Sequence, residues 1–182
     1  LEQFSLSSIL FSKYLSNIST IEYKYNEFKD ELWNILFQIV VTCYLLSLAK
    51  ITHNDLHIEN ILLDNVNVEY IYIINNVRYK INIKKLAKIY DFDRAYCKLL
   101  GNNPILNLNI NREISQTNAN IPNKDFIKLI GYLFGIFHTN EQVKNELLDI
   151  IVNDEVSKNQ LKEIYTNNSF LQINGSPLSN DF

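Results

Sequence analysis

His53-Asn54-Asp55-Leu56-His57-Ile58-Glu59-Asn60 is followed directly by the apolar run Ile61, Leu62, Leu63. As a pattern it is His-x-Asp-Leu-x-x-x-Asn. Further along, a second mostly apolar run of Leu86, Ala87, Ile89 and Tyr90 ends in Asp91-Phe92-Asp93. Both acidic motifs abut β-type runs, so they can converge at the mouth of a small sheet. A bland reading also stands: a loop with a helix-capping Asp, a core His and a surface Asn.

Two carboxylates and an amide oxygen beside short strands are what phosphoryl transfer asks of a protein. One carboxylate takes the proton of the attacking hydroxyl, and the other oxygens hold Mg²⁺ on the nucleotide phosphates. The three histidines and two distant cysteines do not make a zinc ligand set.

The first stretch resembles the catalytic loop of the protein-kinase superfamily, and Asp91-Phe92-Asp93 resembles its metal-binding Asp-Phe-Gly. Within that superfamily the chain is most similar to haspin-like kinases, including those of large DNA viruses. His57 stands where most Ser/Thr kinases have Lys, a tyrosine-rich hairpin (Glu69 to Ile83) lies between the two motifs, and no Ala-Pro-Glu follows the second. The resemblance covers about residues 1 to 137, strongly only 51 to 95.

The resemblance implies a role for each residue. Asp55 is the expected catalytic base, and Asn60 and Asp91 the Mg²⁺ ligands, with Asp91 also on the ATP side. His57 lies at the transferred phosphate, with less positive charge than Lys. Leu62 falls beneath the adenine ring or is plain core. His53 is structural, holding the loop to the Asp-Phe turn. Asp125 tethers the catalytic-loop backbone or simply favours its helix dipole. There are departures. Asn54 replaces the Arg that binds a phosphorylated activation loop, so no such switch is expected. Asp93 replaces Gly, which restricts the turn. The N-terminal lobe, with its Gly-rich loop and phosphate-binding Lys, would lie upstream in the same protein.

Composition sets outer limits. The 182 residues suffice for one domain with a sizeable core. A net charge of -3 and pI near 5.6 argue against a broad nucleic-acid-binding face. No apolar run approaches the ~20 residues of a membrane span, and nothing at the N-terminus looks like a signal peptide, so no membrane partner and an intracellular location are expected. Cys43 and Cys97 read as reduced thiols. The absence of Met suggests a fragment or a processed chain.

The remaining elements follow from periodicity. Leu1 to Asn17 reads as an extended piece and a short amphipathic helix, with Ser19 to Lys24 a connector. Phe28 to Lys50 is the best helix, apolar at Leu32, Ile35, Leu36, Ile39, Val40, Cys43 and Leu46. Asp30 and Glu31 are expected near its start, and Lys50 at its end. Trp33 reads as packing. Ile61 to Leu63 reads as a short strand, and Asn75-Asn76 as a tight turn between Glu69–Ile74 and Val77–Ile81. That insert is either a wall of the substrate groove or a solvent-facing ornament. Cys97 to Ile121 reads as a loop, Asn123 to His138 as a helix capped by Asn123, and Asn140 to Val152 and Ser157 to Tyr165 as two more, with solvated Glu141-Lys144 and Asn159-Lys162 faces.

The expected fold is α+β, mainly α: a protein-kinase-like C-terminal lobe over 1–166 with small β-hairpins around the catalytic loop, then a loose tail over 167–182. The expected function is ATP-dependent, haspin-like transfer of the γ-phosphate to a Ser/Thr hydroxyl of a protein substrate, with ATP and Mg²⁺ as cofactors. A small-molecule kinase of the aminoglycoside or choline type, and a non-catalytic pseudokinase or binding module, are the alternatives.

Overall fold

A computed structural model describes residues 8–19, 22–107 and 118–166. Its fold is mixed α and β. In chain order the elements are β1 (Ile9–Leu10), α1 (Phe11–Ser19), α2 (Glu22–Leu48), β2 (Ile51–Thr52), a 3₁₀ turn (Ile58–Asn60), β3 (Ile61–Ile74), β4 (Val77–Ile89), β5 (Tyr96–Cys97), a second 3₁₀ turn (Pro104–Asn107), α3 (Lys124–Ile136), α4 (Glu141–Ile151) and α5 (Glu155–Thr166). They divide into two compact units. The first lies within Leu1–Thr42 and Glu59–Tyr90, the second within Cys43–Ile58 and Asp91–Phe182. The tail expected over 167–182 lies outside the described residues.

The first unit is built on an antiparallel sheet of order β1-β3-β4. Small hairpins were the expectation; instead Ile61–Ile74 and Val77–Ile89 form one long ribbon. The short strand Ile61–Leu63 and the run from Glu69 were expected as separate pieces, with Asp64, Asn65 and Asn67 between them. The ladder absorbs them in a register shift between Asn65 and Val68 and continues. At the tip, Ile74 pairs with Val77 across Asn75 (φ 51°) and Asn76 (φ 64°), the two left-handed residues of a tight hairpin turn.

Helix α2 serves this ribbon. Gln38 is buried, and its amide does the work of a strand residue: it donates to the Lys85 carbonyl at 2.9 Å and accepts from the Ala87 N–H at 3.0 Å. Phe37 packs edge-on to Tyr72, with ring centroids 5.2 Å apart, and lies 6.0 Å from Tyr79. Tyr25, Leu32, Ile35, Leu36 and Ile39 are buried with Ile61, Leu63 and Ile83. Trp33 donates to the Tyr25 hydroxyl at 3.2 Å, a packing role as expected.

Two expectations for α2 are corrected. The helix begins at Glu22, so the connector is shorter and Asp30 and Glu31 lie beyond the first turn. Lys50 is not in the last turn. It stands past the end with φ 59°, and its N–H closes on the Ser47 carbonyl at 3.0 Å. Within Tyr25–Leu48 an 18-residue window has mean hydropathy 1.5, long and apolar enough to cross a membrane by length and composition alone, a test that the core helix of a water-soluble protein also passes.

In the second unit β2 and β5 form a two-residue antiparallel ladder, Ile51 opposite Cys97 and Thr52 opposite Tyr96. The chain leaves β2 into the His53 stretch and enters β5 from Asp91-Phe92-Asp93. The ladder thus holds the outer ends of both motifs. Leu129, Ile130, Leu133 and Phe134 of α3 are buried with Val143, Leu147 and Leu148 of α4 and Tyr165 of α5. Burial pushes the Tyr165 phenol up to about 12, and its hydroxyl donates to the Ile127 carbonyl at 3.4 Å. Asn140 caps α4 by accepting from the Val143 N–H at 3.1 Å. The solvated Glu141-Lys144 face is corrected: Lys144 is buried, lies over the Phe134 ring at 5.3 Å, and pairs with Glu141. Asn123 is corrected as well. It takes φ 62° at the start of α3 and makes no side-chain cap bond.

Candidate phosphotransfer site

The site is best built from Asp125 outward. As the second residue of α3 it sits in the first turn, where a carboxylate suits the helix dipole. Its Oδ2 accepts the His53 N–H at 2.7 Å, and its Oδ1 the Asn54 N–H at 2.9 Å. All three residues are buried. Two charge-assisted bonds therefore fix the backbone that carries Asp55. This is the tether, and the dipole contribution accompanies it.

Asn54 completes the anchoring. It adopts φ 69°, donates from Nδ2 to the Arg94 carbonyl at 3.0 Å, and accepts from Lys124 Nζ at 2.8 Å. A short amide tolerates the left-handed region better than a longer side chain does. Burial lowers the Lys124 pKa, and the bond to Asn54 gives that ammonium a neutral partner. The fully buried His53 lies against Phe92, ring centroids 4.6 Å apart, joining the first motif to the second. Hydrogen bonds from the imidazole to the Asp-Phe turn were the expectation; the contact shown is ring against ring.

The second motif turns at Asp91, which has φ 63°. The positive φ falls on Asp91 and not on Asp93, so glycine is not required at position 93. The Ala95 N–H bonds the Phe92 carbonyl at 3.0 Å to close the turn. Asn103 clamps it from outside, donating to the carbonyls of Asp93 at 2.7 Å and Ala95 at 2.8 Å.

Three basic side chains face the Asp55 carboxylate. His57 Nε2 is 4.0 Å and Arg94 Nη1 3.6 Å from Oδ2, while Lys128 Nζ is 3.8 Å from Oδ1. His57 also meets the Tyr132 ring edge-on at 6.3 Å. Arg94 and Lys128 were not singled out in the sequence. The signals were there: Arg94 directly follows Asp91-Phe92-Asp93, and Lys128 lies three residues after Asp125, on the same helical face.

Asp55, His57 and Asp91 all belong to the second unit. Asn60 and Leu62 belong to the first. Asn60 is buried at the end of the 3₁₀ turn, and its carbonyl accepts the Tyr90 N–H at 3.1 Å. Leu62 pairs with Leu10 on one side and Lys88 on the other. Among the described residues no three His, Cys, Asp or Glu side chains are grouped to hold a metal. The carboxylates of Asp91 and Asp93 are exposed and make no hydrogen bond or ion pair among the described residues. Hard oxygen donors of this kind fit Mg²⁺, which takes one or two carboxylates and fills its remaining positions with water and phosphate. Cys43 and Cys97 are free thiols, and burial pushes Cys43 up to about 12, with the Asp125 charge adding to the effect.

Comparison with protein-family models, with curated proteins and with solved structures finds no match to this chain.

Proposed function

We propose that the chain is the catalytic, C-terminal-lobe portion of an ATP-dependent phosphotransferase of the protein-kinase type, acting on a Ser/Thr hydroxyl of a protein and closest to haspin-like kinases. The observation that carries this reading is the double bond from Asp125 to the His53 and Asn54 backbone. A buried carboxylate spent on holding a loop makes sense where the loop's next residue, Asp55, must keep a fixed direction.

In this reading Asp55 accepts the hydroxyl proton as the substrate oxygen bonds to the γ-phosphorus and the bond to the ADP oxygen breaks. The resemblance assigns Mg²⁺ to Asp91 and Asn60, which belong to different units; within the second unit Asp91 and Asp93 carry the exposed carboxylates that would hold it. When bound, Mg²⁺ neutralises charge on the transferring phosphates. His57 donates one hydrogen bond at the same place. Leu62 is the residue that the resemblance would place against the adenine ring. Asn54, standing where many kinases have the Arg that binds a phosphorylated loop and bonded instead to Lys124 and the Arg94 carbonyl, supports a reading without that switch.

The test is transfer of labelled γ-phosphate from ATP with Mg²⁺ to Ser/Thr peptides and to small alcohols, using the whole protein expressed from its own coding sequence. Peptide labelling that Asp55→Asn abolishes supports the reading. Labelling of small alcohols alone moves it to a small-molecule kinase. Absence of labelling with either class of acceptor sinks it and leaves a binding module.

A further inference from the structure

Lys128 lies in the middle of α3 and is only 4% exposed. A buried ammonium is costly unless its donors and charge are met. Among the described residues its polar partners are the Asp55 carboxylate, at 3.8 Å, and the face of Tyr132, at 5.9 Å. Neither is a hydrogen bond, so the three N–H donors of Nζ meet no acceptor at bonding distance.

Asp55 does not answer that need on its own. Arg94 already stands 3.6 Å from its other oxygen. Asp55, Arg94 and Lys128 together carry one net positive charge with His57 neutral. A carboxylate flanked by two cations, with a net positive charge over the three groups, favours a further anion beside them. The electrostatics favour one with several oxygens.

We propose that Lys128 is a phosphoryl-contacting catalytic residue: its Nζ donates to an oxygen of the group being transferred, while Arg94 steadies Asp55 from the other side. This rests on the phosphotransfer reading and adds to it the source of positive charge that His57 lacks. Burial suits the role, because a fixed, desolvated ammonium need not reorganise as charge shifts during transfer. Asp55 still takes the hydroxyl proton; Lys128 gives up none and remains charged throughout.

The test uses the whole protein with Mg²⁺-ATP and a peptide that the native enzyme phosphorylates, comparing Lys128→Met, Lys128→Arg and Lys128→Gln. Lys128→Met keeps the stem and removes the charge. It is expected to lower kcat at least about a hundredfold with KM for ATP within about threefold, as loss of a contact made in the transition state does. Lys128→Arg is expected to recover to within about tenfold of native, and Lys128→Gln to stay low. If Lys128→Met does not fold, the Arg and Gln variants make the same comparison. A kcat for Lys128→Met or Lys128→Gln within twofold of native overturns the proposal and leaves the phosphotransfer reading standing. So does equal loss in Arg and Gln variants with unchanged melting. A native protein with no transfer to any acceptor overturns both.

Discussion

The Asp125 carboxylate accepts the backbone N–H of His53 at 2.7 Å across 72 residues of sequence. With its second bond, to Asn54, it is the most consequential buried polar contact in the second unit, because it fixes a loop that has no regular structure of its own. Asp125→Asn keeps one acceptor and turns an N–H₂ toward the other amide. Loss of about 1–3 kcal/mol of unfolding free energy is expected, as for other buried donors left unmet. Asp125→Ala should lose more. Urea denaturation of the two variants checks the order; equal stability to native would refute the tether.

Gln38 makes a parallel case in the first unit. Gln38→Leu fills the space but leaves the Ala87 N–H and the Lys85 carbonyl without their partner. A cost of about 2 kcal/mol is expected, and faster amide exchange at Ala87 should accompany it. Exchange at Ala87 unchanged in Gln38→Leu would contradict the assignment.

The hairpin tip invites a gain. Asn76 holds φ 64°, where glycine carries no steric penalty. Asn76→Gly should be neutral or stabilising by about 0.5 kcal/mol, and Asn76→Val destabilising by about 1–2 kcal/mol. Thermal melts of the pair would show the asymmetry; a Val variant as stable as the Gly variant would mean the turn is not left-handed at that residue.

Asp64 predicts a pH dependence. Its carboxylate pairs with Lys88 Nζ at 2.7 Å and accepts the Ser8 hydroxyl. The bonds from Lys88 and then Ser8 hold its pKa below the ordinary 3.8. A carboxyl with a depressed folded pKa stabilises above the unfolded value and loses that contribution as pH falls through the folded one. Lys88→Met should therefore be less stable than native at neutral pH, with the gap closing below about pH 4. Urea midpoints for both proteins between pH 7 and 2.5 test it; a gap that widens on acidification has the wrong sign.

Features set by local chemistry were legible in the sequence. Asn75-Asn76 announced a left-handed turn, and the turn is there. Asn140 to Val152 was legible as a helix, though its Lys144 is buried where a solvated face was expected, and the acid at Asp125 was visible beside its helix start. Features that depend on distant segments were not legible. Nothing local says that the polar stretch around Asn65 is a bulge inside one ribbon. Tyr25 belongs to α2 because it is buried and bonded to Trp33, eight residues on, not because Glu22 to Glu27 look helical. The meeting of Arg94 and Lys128 at Asp55 is tertiary, since the two come from different segments. Asn123 shows the opposite error: a favourable cap residue was present, and its backbone took another conformation.

The ribbon of β3 and β4 has a final consequence, for self-association. Ile71, Ile73 and Val77 near its tip are exposed, and an open strand edge with such residues is a template for a neighbouring copy. β4 carries Arg78, Lys80, Lys84, Lys85 and Lys88 along the same thirteen residues. Lys80 and Lys88 are paired with Glu69 and Asp64, and the remaining positive charge along the strand disfavours pairing with a like-charged copy. Acetylating these lysines is therefore expected to raise self-association through the hairpin, which light scattering of native and acetylated protein would show.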